Sequence, residues 1–310
     1  MSNFKIVVQY DGTNYKGWQV QNSTDMTIQG KLQEILGRMT GEEVEVIGSG
    51  RTDAGVHAKG QVANFHISTG ASKRYHVSDG ADEKTKRMAE LLARRKAENG
   101  TCEKISKTGI EASEKISKTG SETYENIQKF TPEGIKNYLN KYLPGDIAVA
   151  NIEKVDERFH SRYNAKSKWY RYRIHISEQA NVFEQRFIYT YTAAPLDVEK
   201  MKQAAAQMVG RHDFKSFCGN TKMKKSTVRT VTNVDIKQKG SEIIIDFKGE
   251  GFLQNMIRIM VGTLVEVGDG RRPAESIAAA IEAEDRGAAG FTAPPQGLCL
   301  MRVYYDGDPE

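Results

Sequence analysis

The chain has 310 residues, 38% of them hydrophobic and 27% charged, and its 45 basic and 40 acidic side chains give a formal charge of +5. That length favours two compact domains over one, because single cores stop growing near roughly 250–300 residues. Three scattered cysteines and the lack of any apolar run near the roughly 18 residues of a membrane span argue against a disulfide scaffold, a CxxC zinc site and a membrane protein, and favour a reducing, cytoplasmic setting. The mild basic excess permits a polyanionic partner without establishing one. The opening MSNFKIVVQYDG has no small-residue cleavage site and does not read as a secretory leader.

Phe4 to Tyr10 alternates, with Phe4, Ile6, Val8 and Tyr10 on one face, and predicts a strand that ends at Asp11-Gly12. Ile28, Leu32, Ile35, Leu36 and Met39 have helical spacing, with Gly41 as the stop. Strands are expected around Val44–Ile47 and Val62–Ile67, on either side of a Gly-rich loop. Residues 70 to about 129 change character. They are polar, they repeat EKISKTG at 103–109 and 114–120, and only Glu83–Glu98 has a helical stripe, so the stretch reads as an insertion.

Thr131-Pro132 opens a helix with Ile135, Tyr138, Leu139 and Tyr142 on its apolar face, and Leu143-Pro144-Gly145 stops it. Ile147–Val155 is a strand, and a domain boundary is expected near Asp156–His160. The second half offers a strand at Trp169–Ile176, a helix at Leu196–Val209 and a hairpin of Val228–Lys237 with Glu242–Lys248 around Gly240. Helices at Leu253–Val267 and Pro273–Ala283 and a last strand at Leu298–Tyr305 complete it. Strands and helices mix without βαβ alternation, which predicts an α+β fold of antiparallel sheets covered by helices, divided as 1–156 and 157–310.

No GxxxxGK[ST], GxGxxG or HExxH is present, and no two of the six histidines stand four apart, which argues against nucleotide and metal chemistry. GRTDAGVHA (50–58) sets Arg51, Asp53 and His57 in a Gly-flanked loop. It reads either as a site or as a turn in which Arg51 pairs with Asp53. FHSRYNAKSKWYRYRI (159–174) interleaves cations with aromatics, as a surface that stacks bases and meets phosphates would; it equally reads as an amphipathic strand. Lys168 and Arg171 are its candidate RNA contacts. Arg258 interrupts the apolar helix NMIRIMVGTLVEVG and needs a carboxylate, for which Asp53 is a candidate, unless it snorkels outward or binds a structural Glu. Tyr15, Lys16 and Trp18 in YDGTNYKGWQ (10–19) either touch RNA or close over the core, and Lys222, Lys224, Lys225 and Arg229 form a further basic run.

Together, YDGTNYKGWQ, GRTDAGVHA, LPGDIAV, FHSRYNAKSKWYRY and NMIRIMVGTLVEVG stand in the order seen in the bacterial tRNA pseudouridine synthase A family, which the chain resembles over nearly its whole length outside the insertion. The resemblance implies the two-domain pseudouridine synthase fold, a homodimer, no cofactor, and uridines 38, 39 and 40 of the tRNA anticodon arm as substrates. It implies Asp53 as the catalytic aspartate, Tyr170 as the ring packed on the target base, Arg51 as a helper in base flipping and Arg258 as the partner of Asp53. The insertion is the departure from the family pattern. An adjacent Arg258 is expected to lower the Asp53 pKa by about 1–3 units and hold it ionised.

Overall fold

The computed structural model describes residues 1–68 and 130–309. The expected insertion, with its helix at Glu83–Glu98, lies outside the described residues. A ten-stranded mixed sheet forms the centre of the molecule. Its first part consists of β1 (Ser2–Tyr10), β2 (Ile47–Gly48), β3 (His57–Ile67) and β4 (Ile147–Val155). Its second part consists of β5 (Ser167–His175), β6 (Tyr189–Thr190), β7 (Gly210–Asp213), β8 (Val228–Lys239) and β9 (Glu242–Gly249). The last strand, β10 (Leu298–Tyr304), joins the two, and the order is β4-β1-β3-β10-β5-β9-β8-β7.

The junction is narrow. β10 runs antiparallel to β5 along its length but parallel to β3, paired only at Cys299 with His57 and Leu300 with Ala58. A Cβ on Gly60 would overlap the Met301 carbonyl, so the close approach of these two strands requires glycine there. The connection between the halves is held as well. Asn3 Nδ2 donates to the Asp156 and Phe159 carbonyls, both at 2.9 Å, and Asn64 Oδ1 accepts from the Ser161 N–H at 2.8 Å.

The helices cover apolar strand faces. α1 (Ile28–Thr40) buries Ile28, Leu32, Ile35, Leu36 and Met39, each worth about 1.5–3 kcal/mol when fully removed from water. Thr27 caps it by accepting from the Gly30 N–H, and Gly41 closes it at φ +76°. α2 (Pro132–Tyr142) begins behind the Thr131 cap and buries Ile135 and Leu139. Tyr142 leaves the expected stripe. It is 40% exposed, with its ring against Tyr138 and under Arg38. α3 (Val198–Ala206) packs against α4 (Met256–Gly268), of which eleven of thirteen residues are buried, and α5 (Ser276–Glu282) follows it. Among the described residues, no helix is long and apolar enough to cross a membrane.

Where the structure departs from the sequence reading, hydrogen bonding gives the reason. Val44 and Val46 are buried but form no strand, because α1 takes the Val46 backbone groups: Gln33 Oε1 accepts from the Val46 N–H and Gln29 Nε2 donates to the Val46 carbonyl. Ile47 and Gly48 are the residues that pair with β3 as a strand. β3 itself starts ten residues after Ile47, at His57, so the tail of GRTDAGVHA is strand rather than loop. β6 and β7 are too short to show periodicity, and β6 adds a second parallel pairing, to β5. α4 starts at Met256 rather than Leu253, since Asn255 sits at φ +58° and breaks the helical run.

Candidate active site

The segment between β2 and β3 is bound at many points to the chain that follows β1. Trp18 N–H donates to the Thr52 carbonyl at 3.1 Å, and Gly55 N–H donates to the Tyr15 carbonyl at 3.2 Å. The Tyr10 hydroxyl meets Thr52 Oγ1 at 2.9 Å, and Gln61 Nε2 holds the Gly50 carbonyl at 2.9 Å. Gly12 lies directly under Val56, where any Cβ would overlap the Val56 carbonyl. Tyr15 and Trp18 are buried in this clamp, so they close over the core rather than reach for RNA, and Lys16 alone of the three is exposed. The clamp leaves little freedom to Asp53, whose side chain is 27% exposed at the floor of a cleft of about 940 Å³.

Arg258 reaches Asp53 from α4, but not as a two-pronged ion pair. Its NH1 stands 4.0 Å from Asp53 Oδ2. Other groups fix it: Nε donates to the Ala293 carbonyl at 2.7 Å, and NH1 donates to Asn255 Oδ1 at 2.9 Å. The expected fall in the Asp53 pKa does not occur. Burial is the largest influence and pushes the carboxyl up, and the Arg258 charge and the Asn255 backbone N–H only pull it part of the way back. A guanidinium fixed at that distance by other partners cannot outweigh the lost hydration.

Tyr170 extends from β5 into the same cleft, 7% exposed, with its ring edge-on to Phe252 at 5.4 Å. Burial, with Tyr10 and Asp53 nearby, raises its phenol pKa far above the usual range, so it is a neutral donor. Lys168, two residues earlier on the same strand face, donates from Nζ to the Ser49 carbonyl at 2.9 Å. Burial, together with the Arg162 and Arg229 charges, pushes it down to about 8. Lys16, Arg51, Arg162, Lys225 and Arg229 also line the cleft, against the acids Glu45 and Asp53. Arg51 does not pair with Asp53; its Nε donates to Gln19 Oε1 at 3.1 Å.

Arg171 is not brought to the cleft. It points to the opposite face of β5, where Nε and NH2 grip the two oxygens of Asp246 at 2.9 Å each and its guanidinium lies over the Trp169 ring. An expected RNA contact is thus committed to a neighbouring strand.

A family model described as tRNA pseudouridine synthase matches residues 6–109 and 204–306. The chain belongs to the tRNA pseudouridine synthase family. It is 36% identical to a tRNA pseudouridine synthase A 2 of Bacillus cereus, over 98% of this chain and all of the relative. It is 38% identical to a tRNA pseudouridine synthase A of Citrifermentans bemidjiense, over 98% of each. It is 36% identical to a tRNA pseudouridine synthase A 2 of Clostridium perfringens, again over 98% of this chain and all of the relative. These relatives are isomerases that convert uridine to pseudouridine. Asp53 and Arg258 lie one in each segment matched by the pseudouridine synthase model, and Tyr170 lies between the segments.

Sequence reasoning missed Asn255. Its left-handed backbone aims an N–H at Asp53 while its side chain holds Arg258. The only signal available was an asparagine just before a helix, a residue type enriched at positive φ.

Proposed function

We propose that the chain isomerises uridines 38, 39 and 40 of the tRNA anticodon stem-loop to pseudouridine, with Asp53 as nucleophile or base. The observation that carries this reading is the convergence of Asp53, Tyr170 and Arg258 in one cleft whose other charged groups are nearly all cations. The target uridine must first leave its stack, at a cost of a few kcal/mol. Packing on Tyr170 and phosphate contacts with Arg51, Lys16 and Lys168 offset that cost, and Arg51 helps to draw the base out. The C1′–N1 bond then breaks, the uracil turns and a C1′–C5 bond forms, so atoms are conserved and no redox partner is needed. Asp53 must be ionised, and Arg258 and the Asn255 N–H supply the counter-charge that burial makes necessary.

We further infer two domains, 1–156 and 157–310, from chain length and the resemblance, a cytoplasmic setting from the scattered cysteines, and a homodimer from the resemblance. Sedimentation of the purified chain tests the dimer. Tritium release from C5-labelled tRNA, followed by mapping of the modified positions, tests the reaction. Release confined to uridines other than 38, 39 and 40 would correct the substrate, and no release would remove the activity.

A further inference from the structure

The turn that leads into β5 carries an aromatic pair that the reaction itself does not use. Tyr163 is 78% exposed, and its ring lies 4.1 Å, centroid to centroid, from that of His160, with the planes 37° apart. Such exposure is costly for a large ring, yet the pair is firmly held. His160 Nδ1 accepts from the backbone N–H groups of Arg162 at 3.1 Å and Tyr163 at 3.4 Å, and Asn164 Oδ1 accepts from the His160 N–H at 2.7 Å. Ser161, which follows His160, is buried and bonded to Asn64, Ile47 and Tyr305. With Nδ1 committed to the backbone of its own turn, the imidazole is fixed in orientation. Both rings line the Asp53 cleft, and Arg162 and Lys168 stand beside them.

From this we infer that His160 and Tyr163 form a stacking platform for a second unpaired base of the RNA, distinct from the base held at Tyr170. Every base has a π face, so an exposed ring supported by a second ring accepts one without reading its identity, while adjacent cations take the phosphate. The rigid turn means that little ordering is needed when the base arrives. The inference rests on the RNA reading of the cleft and adds a subsite to it.

The test uses the full chain and an anticodon stem-loop RNA carrying 2-aminopurine in turn at each unpaired position. Wild type and Tyr163→Phe should quench the fluorophore at one position, and Tyr163→Ala should not. Tyr163→Ala should raise KM for tRNA about 10-fold, equivalent to about 1.4 kcal/mol, with kcat within twofold and Tm unchanged. Normal KM and quenching in Tyr163→Ala, with the wild type active, would overturn the platform and leave the activity standing. A changed oligomeric state in place of changed RNA affinity would also overturn it, by making the ring a contact between copies. Quenching by a wild type that forms no pseudouridine would support the platform and remove the activity.

Discussion

The two faces of β5 carry almost the same chemistry and use it differently. On one face, Trp169, Arg171 and Arg173 are cations and an aromatic that have found acids. Arg171 is bidentate to Asp246, whose Oδ1 also accepts from Trp169 Nε1, and Arg173 bridges Glu242 and Glu184. On the other face, Lys168 and Tyr170 face a cleft, and among the described residues Lys168 bonds to the Ser49 carbonyl and to no acid. An arginine already gripping a carboxylate has little left for a phosphate, whereas a desolvated lysine beside other cations gains from one. What separates a binding face from a structural one is whether the neighbouring strand supplies an acid.

The largest expected effect is on the cleft side. Asp53→Ala should lower kcat by about 10²–10⁴-fold while tRNA affinity stays within threefold, as read by single-turnover kinetics and filter binding. Turnover near wild type would end the reading of the site.

The next experiment sets the two faces against each other. Lys168→Met should cut kcat/KM about 10-fold or more, because a charge-assisted bond is lost next to the Asp53 segment, with Tm little changed. Arg171→Met should do the reverse, lowering stability by about 1–3 kcal/mol in denaturant titrations while kcat/KM stays within twofold. Similar losses of RNA affinity in both variants would break the comparison.

Salt sharpens it. Lys225→Ala and Arg229→Ala should each reduce the slope of log affinity against log salt by about 0.7–0.9, and Arg173→Met should not.

The smallest effect concerns pH. The folded-state pKa of Asp53 is raised, so the folded chain holds this proton more tightly than the unfolded chain does. Its contribution to stability therefore falls as pH rises from the ordinary carboxylate range through the raised pKa. Asp53→Asn should raise Tm at pH 7, by on the order of a few degrees, and give no gain at pH 3. The acid limb of wild-type activity should lie above the usual carboxylate range. A limb at or below it would show that Arg258 outweighs burial after all.

Much of the fold was legible because it is local. The caps Thr27 and Thr131, the glycine stop at Gly41 and the alternation of β1 are short-range physics, and they appear where the residues predict them. The candidate site was legible in part. GRTDAGVHA and the lone arginine of α4 pointed to Asp53 and Arg258, and the structure brings them to 4.0 Å. Val44–Val46 was misread because two glutamines of α1, rather than a strand, satisfy the Val46 backbone.

By itself, the sequence determined the helical and strand segments, the α+β class and the family, since periodicity, caps and ordered strings are properties of neighbouring residues. Only the tertiary structure decided which cations stay unpaired, that the narrow β3–β10 pairing joins the halves, and that the Asp53 pKa rises. Each of those depends on distances between groups far apart in the chain and on how much water is removed from around them, and neither quantity is written in local order.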